Sequence, residues 1–116
     1  MLLQIPYSYP LYKQCDPRWG NDLMNNDTVC EVGCLMSSTS MAIGGKNISV
    51  SSNTSTPGSL NAWLREHGGY DGENDLIEAA VPGVNPAHIQ WTEAFGMHRT
   101  NDISLPQIIK YLRAGV

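Results

Sequence analysis

The sequence predicts a mainly helical fold with little strand, on three observations. Several segments carry helix-boundary chemistry around apolar residues at helical spacing: a capping residue, an early proline, a closing glycine. No alternating apolar–polar run of useful strand length occurs. The 116 residues, 41% hydrophobic and 16% charged, suit one globular domain with a modest core rather than a disordered chain.

Residues 5–33 are rich in Pro, Asp, Asn and Gly and are expected to be irregular, pinned by Tyr12 and Trp19. Cys34 to Ile43, CLMSSTSMAI, is small and apolar and predicts a buried helix whose hydroxyls bond back to the preceding turn. Gly44-Gly45 is expected to end it as a left-handed cap. Thr56-Pro57 then supplies an N-cap with proline at the first helical position, and Gly68-Gly69 the stop. Leu60, Trp63, Leu64 and His67 lie at i, i+3, i+4, i+7 and should face inward.

Asn74 to Ala80 is expected to form a short helix broken by Pro82-Gly83, and His88 to Phe95 a helical turn or a strand. Ser104-Leu105-Pro106 opens a last helix with Leu105, Ile108, Ile109 and Leu112 on one stripe, closed by Gly115. A closing glycine followed by β-branched Val116 normally announces a strand. The chain therefore reads as a helical lobe that stops before the sheet it would pack against.

Composition narrows the function classes. Seven Lys and Arg against eleven Asp and Glu give a net charge of −4, with a pI near 5.1 and no basic run. Nucleic acid and anionic membrane surfaces are poor partners for such a chain. No apolar stretch approaches the roughly 20 residues that span a bilayer, and MLLQIPYSYP is too short and polar for a secretory signal.

The stretch from Gln14 to Ser38, QCDPRWGNDLMNNDTVCEVGCLMSS, carries the chemistry. It sets Cys34 at the start of the predicted small-residue helix. Unpaired N–H groups and the helix dipole at such a position favour thiolate, the nucleophilic form. A glutamine amide brought close, Gln14, can donate to the oxyanion that forms when a thiolate attacks a carbonyl. Asp16-Pro17, Trp19 and Gly20 read as scaffold for the Gln14 loop: a turn initiator, a core anchor and a permissive glycine.

Three cysteines, 15, 30 and 34, suggest one pair and one free thiol. Cys15 and Cys30 both fall where a staple is most needed, and a bridge between them would stabilise the fold by about 3 kcal/mol. Two alternatives stay open. A Cys30–Cys34 pair would consume the proposed nucleophile, and zinc could be held by the three thiols and a histidine. No compact histidine motif accompanies the cysteines, so neither metal nor cofactor is expected. The Asp71-Gly72-Glu73-Asn74-Asp75 cluster lacks EF-hand spacing and reads as a solvated acidic turn.

Two blocks, Tyr12-Lys-Gln14-Cys-Asp16-Pro-Arg-Trp19-Gly20 and Cys30-Glu-Val-Gly33-Cys34-Leu-Met-Ser37-Ser38, resemble the C39-like cysteine peptidases of the papain-like superfamily. Thr56-Pro57-Gly58-Ser-Leu60-Asn61-Ala-Trp63-Leu64, with His67-Gly68-Gly69-Tyr70, fits the same family. The resemblance implies an α+β papain-like fold of which this chain is the helical N-terminal lobe, with the β-rich lobe absent. It implies Cys34 as nucleophile, Gln14 as oxyanion donor and a peptide or protein substrate. In that family the base is a histidine opening a strand of the second lobe, oriented by Asp or Asn. That strand would follow the last helix, so the base is expected from a further lobe or a partner chain. His67, His88 and His98 are poor substitutes: the first lies on a helix stripe as a core or cap residue, the second precedes the expected helix, and the third sits in a polar turn. A non-catalytic binding or structural module that keeps the lobe and associates with a partner chain is the rival reading.

Three N-glycosylation sequons, at Asn26, Asn47 and Asn53, exceed the roughly one expected by chance and, with the cysteines, favour a secreted or lysosomal protein.

Overall fold

The structure, a computed structural model, describes residues 8–91 and 104–114. Among these, helices α1 (Val29–Val32), α2 (Cys34–Gly45), α3 (Pro57–Glu66) and α4 (Leu105–Arg113) are joined by irregular chain and one 3₁₀ helix, Glu78–Val84. Strand pairing is limited to isolated bridges, Leu23 with Thr28, Val50 with Asn53 and Tyr70 with Leu76. The chain is mostly helical with little strand, as its periodicity predicts.

The core gathers around the contact of α2 with α3. Met36, Ser37, Ser40 and Ile43 of α2 are buried, as are Leu60, Asn61 and Leu64 of α3. Trp19 and Met24 from the irregular segment, Val29 of α1, Val50 from the loop after α2 and Leu76, Val81 and Val84 from beyond α3 complete it. The small hydroxyls of α2 behave as the composition suggests. Ser38 and Thr39 donate to the carbonyls of Cys34 and Leu35 one turn earlier, and buried Ser40 donates to Ser37. Buried Ser55 then donates to the carbonyl of Ser40, tying the loop after α2 back onto its helix.

Helix α3 opens with a capping box. The Thr56 hydroxyl accepts from the N–H of Ser59 and the Ser59 hydroxyl from the N–H of Thr56, with Pro57 at the first position. It closes at Gly68, whose φ of +65° lets the N–H of Gly69 reach the carbonyl of Leu64 at 2.7 Å. The end of α2 departs from expectation. Gly44 and Gly45 stay helical, and the left-handed residue is Asn47, at φ 56°. The N–H groups of Asn47 and Ile48 reach the carbonyls of Gly44 and Ile43 in the same cap geometry. Asparagine tolerates that conformation, and the pair of glycines instead lets Pro10, Ser55 and the Tyr9 ring approach the helix closely.

The helix expected over Asn74–Ala80 is also not formed as such. Asn74 takes φ 67°, which no right-handed helix accommodates, and Leu76 pairs with Tyr70. Helical winding therefore starts only at Glu78, and as a 3₁₀ turn it runs through Pro82 rather than breaking there. The expected turn or strand over His88–Phe95 is a turn at 86–88 followed by irregular chain to Trp91; the rest of it lies outside the described residues. Helix α4 opens at Ser104 as expected, with a Ser104–Gln107 capping box, and Leu105 and Ile108 of its apolar stripe are exposed. Gly115, expected to close it, lies outside the described residues.

Asn74 explains the loop between α3 and the 3₁₀ helix. Its buried side-chain oxygen accepts from the N–H groups of Asn25, Asn26 and Asp27 at 2.9, 2.6 and 3.1 Å, and its amide donates to Asp27. Asn61 makes a second tie, donating to the carbonyl of Leu23 and accepting from the Tyr70 hydroxyl at 2.8 Å. Burial pushes the Tyr70 phenol upward from its ordinary value. Replacing Asn74 with Ala strands three donors at once. Asn74→Ala should lower unfolding free energy by about 2 kcal/mol, read as a shift in the urea midpoint with unchanged slope.

Candidate functional site

The site is built where α1 meets α2. Thr28 caps α1, accepting from the N–H of Glu31 and donating to its carboxylate at 2.8 Å. The helix then breaks at Gly33, where a Cβ would stand 2.6 Å from the carbonyl oxygen of Val29. Only glycine lets the chain turn so tightly at that point. Cys34 follows as the first residue of α2, exposed and free, because Cys15 and Cys30 are joined in a disulfide. That bridge settles the cysteine alternatives: Cys34 is not consumed, and two of the three thiols of a zinc site are gone. By helix geometry the first N–H groups of α2, including that of Cys34, have no acceptor within the helix.

Gln14 is brought to the same junction. Its side-chain N–H groups donate to the carbonyls of Val29 and Cys30, both at 3.0 Å. In a continuous helix the Cys30 carbonyl would accept from Cys34. Gln14 takes that acceptor instead, so its amide lies at the mouth of α2 with both donors already engaged.

The loop bearing Gln14 is itself braced. Trp19, buried, donates from Nε1 to the carbonyl of Lys13 at 2.9 Å and meets Tyr12 edge to face. Arg18 lies over the Trp19 ring, 4.4 Å from its centroid, and grips Asp16 through two hydrogen bonds. Those bonds and the Arg18 backbone N–H hold the Asp16 carboxyl down to about 2. The backbone N–H groups of Trp19 and Gly20 close the turn onto the carbonyl of Asp16.

Cys34 opens into a cleft of about 420 Å³ between the start of α2 and the loop after α3. Buried Met24, Met36 and Leu76 line its floor, and exposed Val32, Leu35 and Ile77 its rim. Asp71, Asp75 and Glu78 complete the lining. The loop was read from sequence as a solvated acidic turn. Its Asp71 does accept from the N–H groups of Glu73 and Asp75, but Asn74 seats the turn beside the thiol. Only side-chain contacts some 47 residues apart in sequence create that placement, and no local spacing signals it.

No histidine lines this cleft among the described residues. His67, read as a core or cap residue, is the exposed cap of α3; it stacks on Trp63 at 4.1 Å and pairs through Nδ1 with the Trp63 carbonyl. His88 lines a different groove, with Ile43, Ile48, Ile89 and Trp91. His98 lies outside the described residues. Asn26, Asn47 and Asn53 are all exposed. No described helix is long and apolar enough to cross a membrane, and the disulfide is compatible with an extracellular location.

Comparison of the chain with protein-family models, with curated proteins and with solved structures finds no match.

Two outcomes follow from this geometry. Reducing the Cys15–Cys30 bridge should cost about 3 kcal/mol of stability, seen as an earlier urea midpoint with reductant than without. The Asp16 carboxyl, followed by NMR, should titrate near 2 rather than 3.8. A depressed folded-state value means that its ion pair contributes fully above 3.8 and is lost as pH falls towards 2. Arg18→Ala should raise the midpoint toward the ordinary range without fully restoring it, because the backbone N–H of residue 18 still donates to Asp16.

Proposed function

We propose that the chain is the helical lobe of a papain-like, C39-like thiol hydrolase acting on a peptide or related amide. The observation that carries this reading is the junction itself: a free, exposed cysteine opening α2, with the Gln14 amide fastened one turn away. Cys34 attacks the amide carbonyl and its sulfur forms a thioester as the amine departs with a proton; water then releases the acid and restores the thiol. Gln14 and the Cys34 N–H stabilise the tetrahedral oxyanion. For this, Gln14 exchanges one of its bonds to Val29 or Cys30 for the substrate oxygen. The proton shuttle is a histidine from outside the described residues, on a further lobe or a partner chain. The disulfide and the exposed sequon asparagines support a secreted or lysosomal, glycosylated protein.

A second reading has its own observation. No described histidine reaches the Cys34 cleft, and Leu105 and Ile108 of the α4 stripe are exposed among the described residues, which supports a non-catalytic module that associates with a partner chain.

A peptidyl epoxysuccinate offered to the full natural protein separates the two. Under the hydrolase reading the adduct maps to Cys34, and Cys34→Ala abolishes both adduct and peptide hydrolysis. Gln14→Ala should lower kcat by roughly 10²–10³ with KM little changed and the adduct site the same. Peptide hydrolysis that survives Cys34→Ala, or a Cys34 inert in the intact protein, sinks the hydrolase reading.

A further inference from the structure

The cleft beside Cys34 has a composition that its position alone does not require. Its floor of Met24, Met36 and Leu76 is apolar and buried, and Leu35 and Ile77 on the rim are exposed large apolar side chains facing the same space. Three carboxylates, Asp71, Asp75 and Glu78, share the wall with them, and no Lys, Arg or His does among the described residues. Asp71 is turned into its own loop by two backbone N–H groups. The carboxylates of Asp75 and Glu78 are exposed and meet no cation or donor among the described residues. At 420 Å³ the space suits one long side chain with its flanking backbone, at the small end of ligand sites.

A cleft with an apolar floor and unpaired carboxylates on its wall is matched by one kind of group, an aliphatic stem that carries a cation. We infer that the cleft is a subsite for a lysine or arginine side chain of the peptide that Cys34 attacks. The stem lies along Leu35 and Ile77, and the ammonium or guanidinium meets Asp75 and Glu78, with Asp71 adding to the field. This deepens the hydrolase reading and names its substrate class: peptides with a basic residue next to the scissile bond. A neutral or acidic residue of the same length would lose the charge pairing and leave the carboxylates uncompensated.

The single free thiol provides a test that does not depend on catalysis. Cys34 in the full natural protein is labelled with 2-aminoethyl or 2-sulfonatoethyl methanethiosulfonate, each of which forms a mixed disulfide and releases methanesulfinate. The cationic-to-anionic rate ratio, divided by that of 2-mercaptoethanol, should be about tenfold or more. It should shrink in about 0.5 M salt and approach one in the doubly neutralised Asp75→Asn, Glu78→Gln variant. Both positions are exposed, and circular dichroism checks the fold. A wild-type ratio no different from the free thiol overturns the subsite, as does a ratio that survives in the variant. Peptide substrates with lysine or isosteric norleucine then separate the two proposals. Charge-selective labelling without hydrolysis of either overturns the hydrolase and supports the cation-binding cleft. Hydrolysis of both at equal kcat/KM overturns the subsite and supports the hydrolase.

Discussion

Backbone polar groups in an irregular segment need partners that no helix or sheet supplies, and most of this fold follows from how residues 13–30 find theirs. The carbonyl of Lys13 takes the Trp19 indole, that of Leu23 the Asn61 amide, and those of Val29 and Cys30 the Gln14 amide. The N–H groups of Asn25, Asn26 and Asp27 converge on a single oxygen of Asn74. Gln14 and Trp19 belong to the segment itself, while Asn61 and Asn74 come from α3 and the loop after it. The segment is thus tied to α3 and to the loop after α3, and it fixes them in return.

That mutual dependence concentrates the chemistry at one junction. Gly33 lets the helix break so that Cys34 begins a new one, and the break frees the Cys30 carbonyl for Gln14. The disulfide from Cys15 to Cys30 fastens the two sides of the same junction covalently and leaves Cys34 alone as a thiol. The amide engagement of Gln14 has a functional meaning within the hydrolase reading: its donors are preorganised at the helix mouth and change acceptor rather than travel. On the opposite wall, Asn74 fixes the acidic turn by burying one amide, so charged side chains flank the thiol without being buried themselves.

The legible features were those with local causes. The helix starts at Thr56-Pro57 and Ser104-Leu105-Pro106, the glycine stop after α3 and the back-bonded hydroxyls of α2 each depend on residues within four positions of one another. The pairing of Cys15 with Cys30 was one of three readings the sequence left open, favoured by the segment's need for a staple, and the structure selects it. The misread features had distant causes. Gly44-Gly45 looked like a left-handed cap, but close approach of Tyr9, Pro10 and Ser55 explains the glycines and Asn47 takes the turn. His67 is a local exception: its cap reading holds, since it is the C-cap of α3, but it is exposed and stacked on Trp63 rather than facing inward with Leu60 and Leu64.

What the sequence determined by itself is the position of α2, α3 and α4 and the thiol at the head of one of them, because helix-boundary residues and 3.6-residue periodicity act over a single turn; α1 formed inside a segment expected to be irregular. The tertiary structure alone decided what surrounds that thiol. Asn74 became an acceptor for three N–H groups, and Asp75 and Glu78 became a wall of the Cys34 cleft, only when segments nearly fifty residues apart met. Such meetings are set by the shape of the packed core, where each contact depends on all the others, and short-range spacing carries no record of them.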